Sequence, residues 1–343
     1  MVEFLNRYVS IEKESSYGSE PSGTPVYGEV DDESLASTYD LMTRQDMSRP
    51  IAAKSVTGTE RSEGDINLAI QVDDFVGNLL YSFFPQDALT TSGAAKIHTM
   101  TEPSLTDPAA GVYPSWTVRV GREEKEHTFT GMMTNSLSIS ATVGEYAMMS
   151  VGFVGQRESG TAALETTNVV FAGAALDALH FANGQVSFDD GSTDGSAVAT
   201  VKSFSFDINL NRDTDNAYGL GDSTYRRAPP AQRREISGTI EFNKVIYTSS
   251  AAEPTYDALV AEDGLAYNDG AAPSLKLKLI DEAGADYIDF EFYNIRFEAP
   301  EASVSGRDTN TMTVNFIGLY DDNLGGMKVI ASGTNLSGTQ YDA

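Results

Sequence analysis

Apolar and polar residues alternate with a period of two along much of this chain. Ile66, Leu68, Ile70 and Val72 are separated by Asn67, Ala69 and Gln71, and Phe204, Phe206, Ile208 and Leu210 by Ser205, Asp207 and Asn209. Leu275, Leu277 and Leu279 flank Lys276 and Lys278, and Ile288, Phe290 and Phe292 flank Asp289 and Glu291. Each segment predicts a half-buried strand, and the alternation predicts antiparallel sheets, because buried parallel strands read as unbroken apolar runs. Helical spacing is rarer. Val72, Phe75, Val76, Leu79, Leu80 and Phe83 predict a helix ended by Pro85, with Asp73 or Asp74 in its first turn. Residues 250–253 have capping-box form and precede Pro254, Tyr256, Leu259 and Val260, which predicts a second short helix. Residues 168–181 read as a weaker third helix or an apolar loop on a sheet.

The same patterns recur. Residues 64–72 match 238–246 at an offset of 174, with an arginine before each copy (Arg61, Arg234) and a helical segment after it. Residues 116–120 match 275–279, 137–139 match 295–297, and 149–155 match 312–318, all in the same order. Four ordered matches predict one unit used twice: strand, long loop, strand, helix, then four strands. The first strands fall near residues 35–41 and 201–210, and the long loops run to about Gly64 and Gly238. The expected organisation is an N-terminal arm (1–33), a first unit (34–157), a linker (158–200), a second unit (201–322) and a C-terminal tail (323–343). The fold class is mainly β: two tandem antiparallel β-sandwich or half-barrel units, each with one short flanking helix.

Composition narrows the chemistry. The 343 residues include 23 Lys and Arg against 50 Asp and Glu, a formal charge of -27, and no Cys. Disulfides, thiolate metal sites and cysteine nucleophiles are excluded. His98, His127 and His180 have no metal-ligand spacing. No apolar run approaches the roughly 20 residues of a membrane helix, and the start MVEFLNRYVS has no signal-peptide pattern. So high a negative charge argues against wrapping duplex DNA. It fits an acidic surface that nucleic acid slides past, and adaptation to a very salty cytoplasm.

Recognisable catalytic motifs are absent. Residues 190–195 have the acid and Gly spacing of a calcium loop, but Val201 stands where the bidentate Glu is required, so a solvated turn is expected. Gly219-Leu-Gly221 does not open a helix after a strand. Carboxylate pairs (Asp31/Asp32, Asp73/Asp74, Asp321/Asp322) arise by chance in so acidic a chain, and an enzyme using two carboxylates is a lesser alternative. The basic residues concentrate in the two long loops: Arg226, Arg227, Arg233 and Arg234 in the second, Arg44, Arg49, Lys54 and Arg61 in the first. Arg forks on an acidic body suit docking onto the acidic face of a neighbouring copy; nucleic-acid contact and a solvated loop are the other readings.

The opening segment, with Arg7-Tyr8, Ile11, Glu14 and Tyr17-Gly18, resembles the start of tail tube proteins of tailed viruses. The strand, long loop, strand, helix, four-strand order is also similar to their fold. The resemblance implies a structural virion protein without enzymatic activity, cofactor or metal. It implies rings whose sheets join into a continuous β-barrel around DNA, with a long loop reaching the next ring. A duplicated chain then implies homotrimeric, pseudo-six-fold rings, other tail proteins at the tube ends, DNA passing without specific binding, and no membrane. The virion tail would be assembled in the host cytoplasm, and the acidity points to a haloarchaeal host. The candidate inter-ring or inter-subunit contacts are Arg44, Arg49, Arg61, Arg226, Arg227, Arg233, Arg234 and Tyr17. A secreted or surface β-sandwich binding module of a halophile is the alternative.

Screening length falls from about 10 Å at 0.1 M salt to about 3 Å at 1 M. The thermal midpoint is therefore expected to rise between 0.1 M and 2 M KCl, and an unchanged or lower midpoint would remove the halophilic reading.

Overall fold

The computed structural model describes residues 7–342, apart from 53, 104–111, 172–175, 189–197, 199, 222–223, 248–253, 262–265, 268–273, 304–309 and 321–324. The alternating segments form strands that pair antiparallel. The first half contains β1 (Tyr8–Lys13), β2 (Val26–Gly28), β3 (Asp32–Glu33), β4 (Ala36–Arg44), β5 (Lys54–Ala69), helix α1 (Asp74–Tyr81), β6 (Gln86–Ser92), β7 (Ala95–Thr101), β8 (Trp116–Arg122), β9 (Lys125–Thr142), β10 (Met148–Gly155) and β11 (Arg157–Ala163). The second contains β12 (Gln185–Phe188), β13 (Val201–Asn209), β14 (Glu235–Phe242), helix α2 (Tyr256–Ala261), β15 (Ala266–Tyr267), β16 (Leu275–Ile280), β17 (Tyr287–Phe292), β18 (Asn294–Phe297), β19 (Glu301–Ser303), β20 (Thr311–Leu319) and β21 (Met327–Gly333).

One 15-stranded sheet runs β15-β18-β20-β14-β13-β9-β10-β5-β3, with β4, β19, β11, β8, β1 and β2 attached. A six-stranded sheet runs β12-β16-β17-β21-β7-β6. Neither closes into a barrel. The two halves use the same neighbours: β3/β4-β5-β10-β9 in one, β13-β14-β20-β18/β19 in the other. Registers also agree. Val151 faces Ile66 as Val314 faces Ile240, and Ala36 faces Glu63 as Asp207 faces Ser237. One strand match from the sequence is displaced. Thr134 faces Phe153 as Phe297 faces Phe316, so Phe297 corresponds to Thr134 rather than Ile139. Similar alternation in any two strands allows such a slip; only the partner strand fixes the register.

Residues 8–13 of the expected arm are a sheet strand, β1, held by β8. Residues 158–200 contribute β11 and β12, and residues 323–343 contribute β21. The first long loop is largely a ribbon of β4 against the first half of β5, whereas the described part of residues 211–234 is irregular. Among the described part of 168–181 there is no α-helix. Leu179 is extended there, donating to the Ile70 carbonyl at 2.7 Å and accepting from the Ala147 amide at 2.8 Å, with a 3-10 turn at Phe181–Asn183. The calcium-like residues 190–195 and the capping box at 250–253 lie outside the described residues.

The core lies between the apolar faces. In the second half Phe206 packs edge-on to Phe290 and Phe292 at 5.1 and 5.3 Å, and Phe204 lies 6.0 Å from Phe316. In the first half α1 buries Phe75, Val76, Leu79 and Leu80. Its N-cap is Asp73, whose Oδ1 accepts from the Val76 amide at 2.9 Å. The C-terminal residues return to α1: the Tyr341 hydroxyl donates to Asp74 at 2.8 Å. Below it, buried His98 meets Asp87 at 2.7 Å and the Ser337 carbonyl at 3.0 Å. Burial alone would lower the His98 pKa; these two acceptors outweigh it and hold it above its ordinary value.

β9 changes partners along its length within the long sheet. Its first half pairs with β8 and β11, its second half with β10 and β13. It turns at Gly131, whose φ is +66°. A Cβ there would lie 2.8 Å from Gln156 and 2.9 Å from the Tyr17 ring. The buried Glu14 carboxylate clamps this corner. It accepts from the Gly131 and Gly18 amides at 2.8 Å, the Ser115 hydroxyl at 2.7 Å and the Thr117 hydroxyl at 2.8 Å. Denaturant unfolding should show Gly131→Ala destabilised by about 2 kcal/mol or more and Glu14→Ala by about 3 kcal/mol or more, since four donors lose their acceptor.

Candidate functional site: a hydroxylated sheet face and two open edges

Alternation along the long sheet aims one set of side chains at the core and the other at solvent. On β13, Phe204, Phe206 and Ile208 point inward, and Ser203, Ser205, Asp207 and Asn209 point outward. Register carries the outward set from strand to strand. One row reads Asp32, Asn67, Ser150, Ser138, Asp207, Ser237, Ile317, Arg296 across eight strands. The next reads Ala69, Met148, Ser140, Ser205, Thr239, Asn315. Short hydrogen bonds fix parts of this face: Asn67 to Asp32 at 2.6 Å, and Thr239 to Asn315 at 2.9 Å. These two rows hold no aromatic residue, and their one cation, Arg296, sits at an end. Lys202, near the rim, is bound to Glu241 at 2.7 Å. Hydroxyls and carboxylates on a rigid sheet offer phosphate neither a cation to neutralise it nor a platform on which bases could stack.

The first long loop leaves the sheet as the β4–β5 ribbon. It exposes Tyr39, Leu41, Met42 and Val56, with Met47 and Ile51 toward its tip. Arg44 and Arg49 are exposed, and Arg61 lies 3.6 Å from Asp40. An apolar ribbon of this kind marks a contact surface.

The second loop, residues 211–234, folds back onto the first half of the chain. Glu60 donates its amide to the Thr224 carbonyl at 2.9 Å, and the Tyr218 hydroxyl donates to the Glu60 carbonyl at 3.0 Å. Arg226 is buried and donates to Glu63 at 2.6 Å. Arg234 donates to Glu102 at 2.8 Å and to the Phe83 carbonyl, over the Phe84 ring. Arg227 lies beside Gly219, and Arg233 is exposed. Tyr17 covers Gly131, and burial raises its pKa. The sequence thus groups eight residues that the fold separates: Arg44, Arg49, Arg227 and Arg233 outward, Arg61 half-buried beside Asp40, and Arg226, Arg234 and Tyr17 inward.

Sequence reasoning missed Arg212. It is buried, donates to the Thr134 carbonyl at 2.6 Å and the Pro229 carbonyl at 2.9 Å, and lies over Tyr113. Burial lowers its pKa to about 10. Nothing in the sequence around it distinguishes it from a solvated loop arginine.

Of the carboxylates considered for catalysis, Asp32 accepts from Asn67, Asp73 caps α1 and Asp74 accepts from Tyr341. Burial pushes the Asp73 pKa up to about 6, and its hydrogen bond from Val76 opposes the shift. Asp321 and Asp322 lie outside the described residues. Among the described residues no group of three or more His, Asp or Glu is set to hold a metal ion.

A family model described as "Phage tail tube protein" matches residues 5–318. No curated protein matches. Among solved structures, the P. putida toluene transporter TodX aligns with 95% of this chain and 87% of its own at 10% identity and a TM-score of 0.10.

Arg226→Ala is expected to cost about 1–3 kcal/mol and to speed proteolysis within the second loop, because Glu63 can regain water while the loop loses its latch. Arg233→Ala should stay within about 0.5 kcal/mol. Denaturant unfolding and limited proteolysis check both.

Proposed function

The chain belongs to the phage tail tube protein family, and we propose that it polymerises as stacked rings of three chains, with pseudo-six-fold symmetry, around a channel for viral DNA. Family membership implies a structural, non-enzymatic role in the virion tail, self-assembling into a tube with other tail proteins. The outward face of the long sheet lines the channel. The observation that carries this reading is the pair of cross-strand rows with hydroxyls and carboxylates and a single terminal cation. A lumen so lined repels phosphate at short range and gives it no holding point, so DNA passes without sticking. A carbohydrate- or surface-binding module would instead need an aromatic platform.

The β4–β5 ribbon makes the inter-ring contact. Its exposed apolar residues are covered by the adjacent ring, and Arg44, Arg49 and Arg61 meet that ring's carboxylates. Of the second loop's basic residues, Arg227 and Arg233 support a contact role, while Arg226 and Arg234, like Tyr17 of the N-terminal segment, act by shaping the subunit. Heterologous stacking of identical rings generates an open filament. The formal charge of -27 supports a haloarchaeal host.

Electron microscopy of the purified protein in molar salt is expected to show stacked rings; monomers under all conditions would overturn the proposal. In assembled tubes, Ser205→Cys should react with a small maleimide and be shielded from a large polymer-linked one. Equal reactivity with both would place the face outside.

A further inference from the structure

We infer that the open β3–β4 edge pairs with β19 of a second copy of this chain, in the register that β13 already adopts on β9 within one chain. The inference deepens the ring reading and rests on it. Its ground is the match between the two halves. β13, the first sheet strand of the second half, is hydrogen-bonded to β9 of the first, so the halves already meet in an ordinary antiparallel joint. The counterpart of β13 is β3–β4, at an offset of 171, and that of distal β9 is β18–β19, at an offset of 163. Among the described residues β3 and β4 pair only with β5, and β19 only with β20, while β15 already covers β18. The sheet therefore ends in the same two strand types that its own middle joins. Repeating that joint end to end leaves no edge unpaired once the ring closes.

Transposing the internal register fixes the pairs. Asp207 faces Ser138 and Ser205 faces Ser140, which puts Ala36 opposite Glu301 and Ser34 opposite Ser303 of the second copy. Leu210 donates its amide to the Asn135 carbonyl at 2.8 Å. Alternation along the strands then makes Asp207 and Ser138 a non-hydrogen-bonded pair, and likewise Ala36 and Glu301, with Cα atoms about 4.5 Å apart. In the single chain no strand covers this edge among the described residues, but side chains hold its backbone at Leu35. The Leu35 amide donates to Glu33 at 3.0 Å, and its carbonyl accepts from Arg122, which also binds Glu33 at 2.7 Å. This clasp opens on pairing, and until then it keeps the edge from joining indiscriminately.

The absence of cysteine makes the test direct. Ala36→Cys/Glu301→Cys protein, assembled in molar salt and mildly oxidised, is expected to give covalent dimers and trimers on a non-reducing gel, since about 4.5 Å lies within disulfide range. Ser34→Cys/Ser303→Cys should do the same, and covers the case in which the first variant folds poorly. Ala36→Cys/Ser303→Cys, two residues out of register, should give neither. Rings by electron microscopy without a cross-link in either matched pair, or with one only in the mismatched pair, would overturn this joint and leave the ring reading standing. If the unmodified protein forms no rings, the ring reading itself fails.

Discussion

A buried carboxylate at one backbone corner sets the geometry of the first half of the chain. β9 pairs with β8 and β11 along its first half and with β10 and β13 along its second, and it turns between them at Gly131, where a side chain would meet Gln156 and Tyr17. Turning a strand there leaves the Gly131 amide out of the ladder. Glu14 accepts it, together with the Gly18 amide and the hydroxyls of Ser115 and Thr117. A carboxylate has acceptor capacity for four donors and no protons of its own to satisfy, which suits it to this position. The segment that resembles tail tube proteins in wording is thus the segment that holds the corner. Tyr8 binds Glu126, Ile11 is buried, Glu14 takes the amides, Tyr17 covers Gly131, and Gly18 has a φ of +76°.

From that corner the rest of the long sheet follows. The distal half of β9 carries β10 on one side and β13 on the other, so the two halves become one surface with a common polar side. The acidity of the chain and the smoothness of this surface are separate properties that act together. Charge is spread through the sequence, whereas the hydroxyl rows exist only because strand registers align Ser138, Asp207 and Ser237.

The two long loops show how equivalent positions diverge. Both leave the sheet at the same point of the repeated strand order. The first is a ribbon with apolar residues in solvent; the second is latched by Arg212, Arg226 and Arg234 onto the first half. A buried guanidinium needs acceptors, and the second loop takes them from the Thr134, Pro229 and Phe83 carbonyls for Arg212 and Arg234 and from the Glu63 and Glu102 carboxylates for Arg226 and Arg234. In the first loop Arg44 and Arg49 are exposed, and Arg61 reaches Asp40 of the same ribbon, at 3.6 Å.

The sequence alone determined the class of the fold: alternation at period two gave antiparallel strands, and the 3.6 spacing from Val72 to Phe83 gave α1 with an Asp at its start, though which of Asp73 and Asp74 caps it was left to the structure. These are local properties, carried by neighbouring residues. Tertiary structure decided what depends on partners distant in the chain. It made residues 8–13 and 185–188 strands of the sheets, tied Leu179 by its backbone to Ile70 and Ala147, and gave Phe297 its counterpart in Thr134. It also divided the candidate arginines. A basic loop reads the same whether its charges face solvent or carbonyls, because the acceptors lie more than 75 residues away: Thr134 from Arg212, and Glu63 from Arg226.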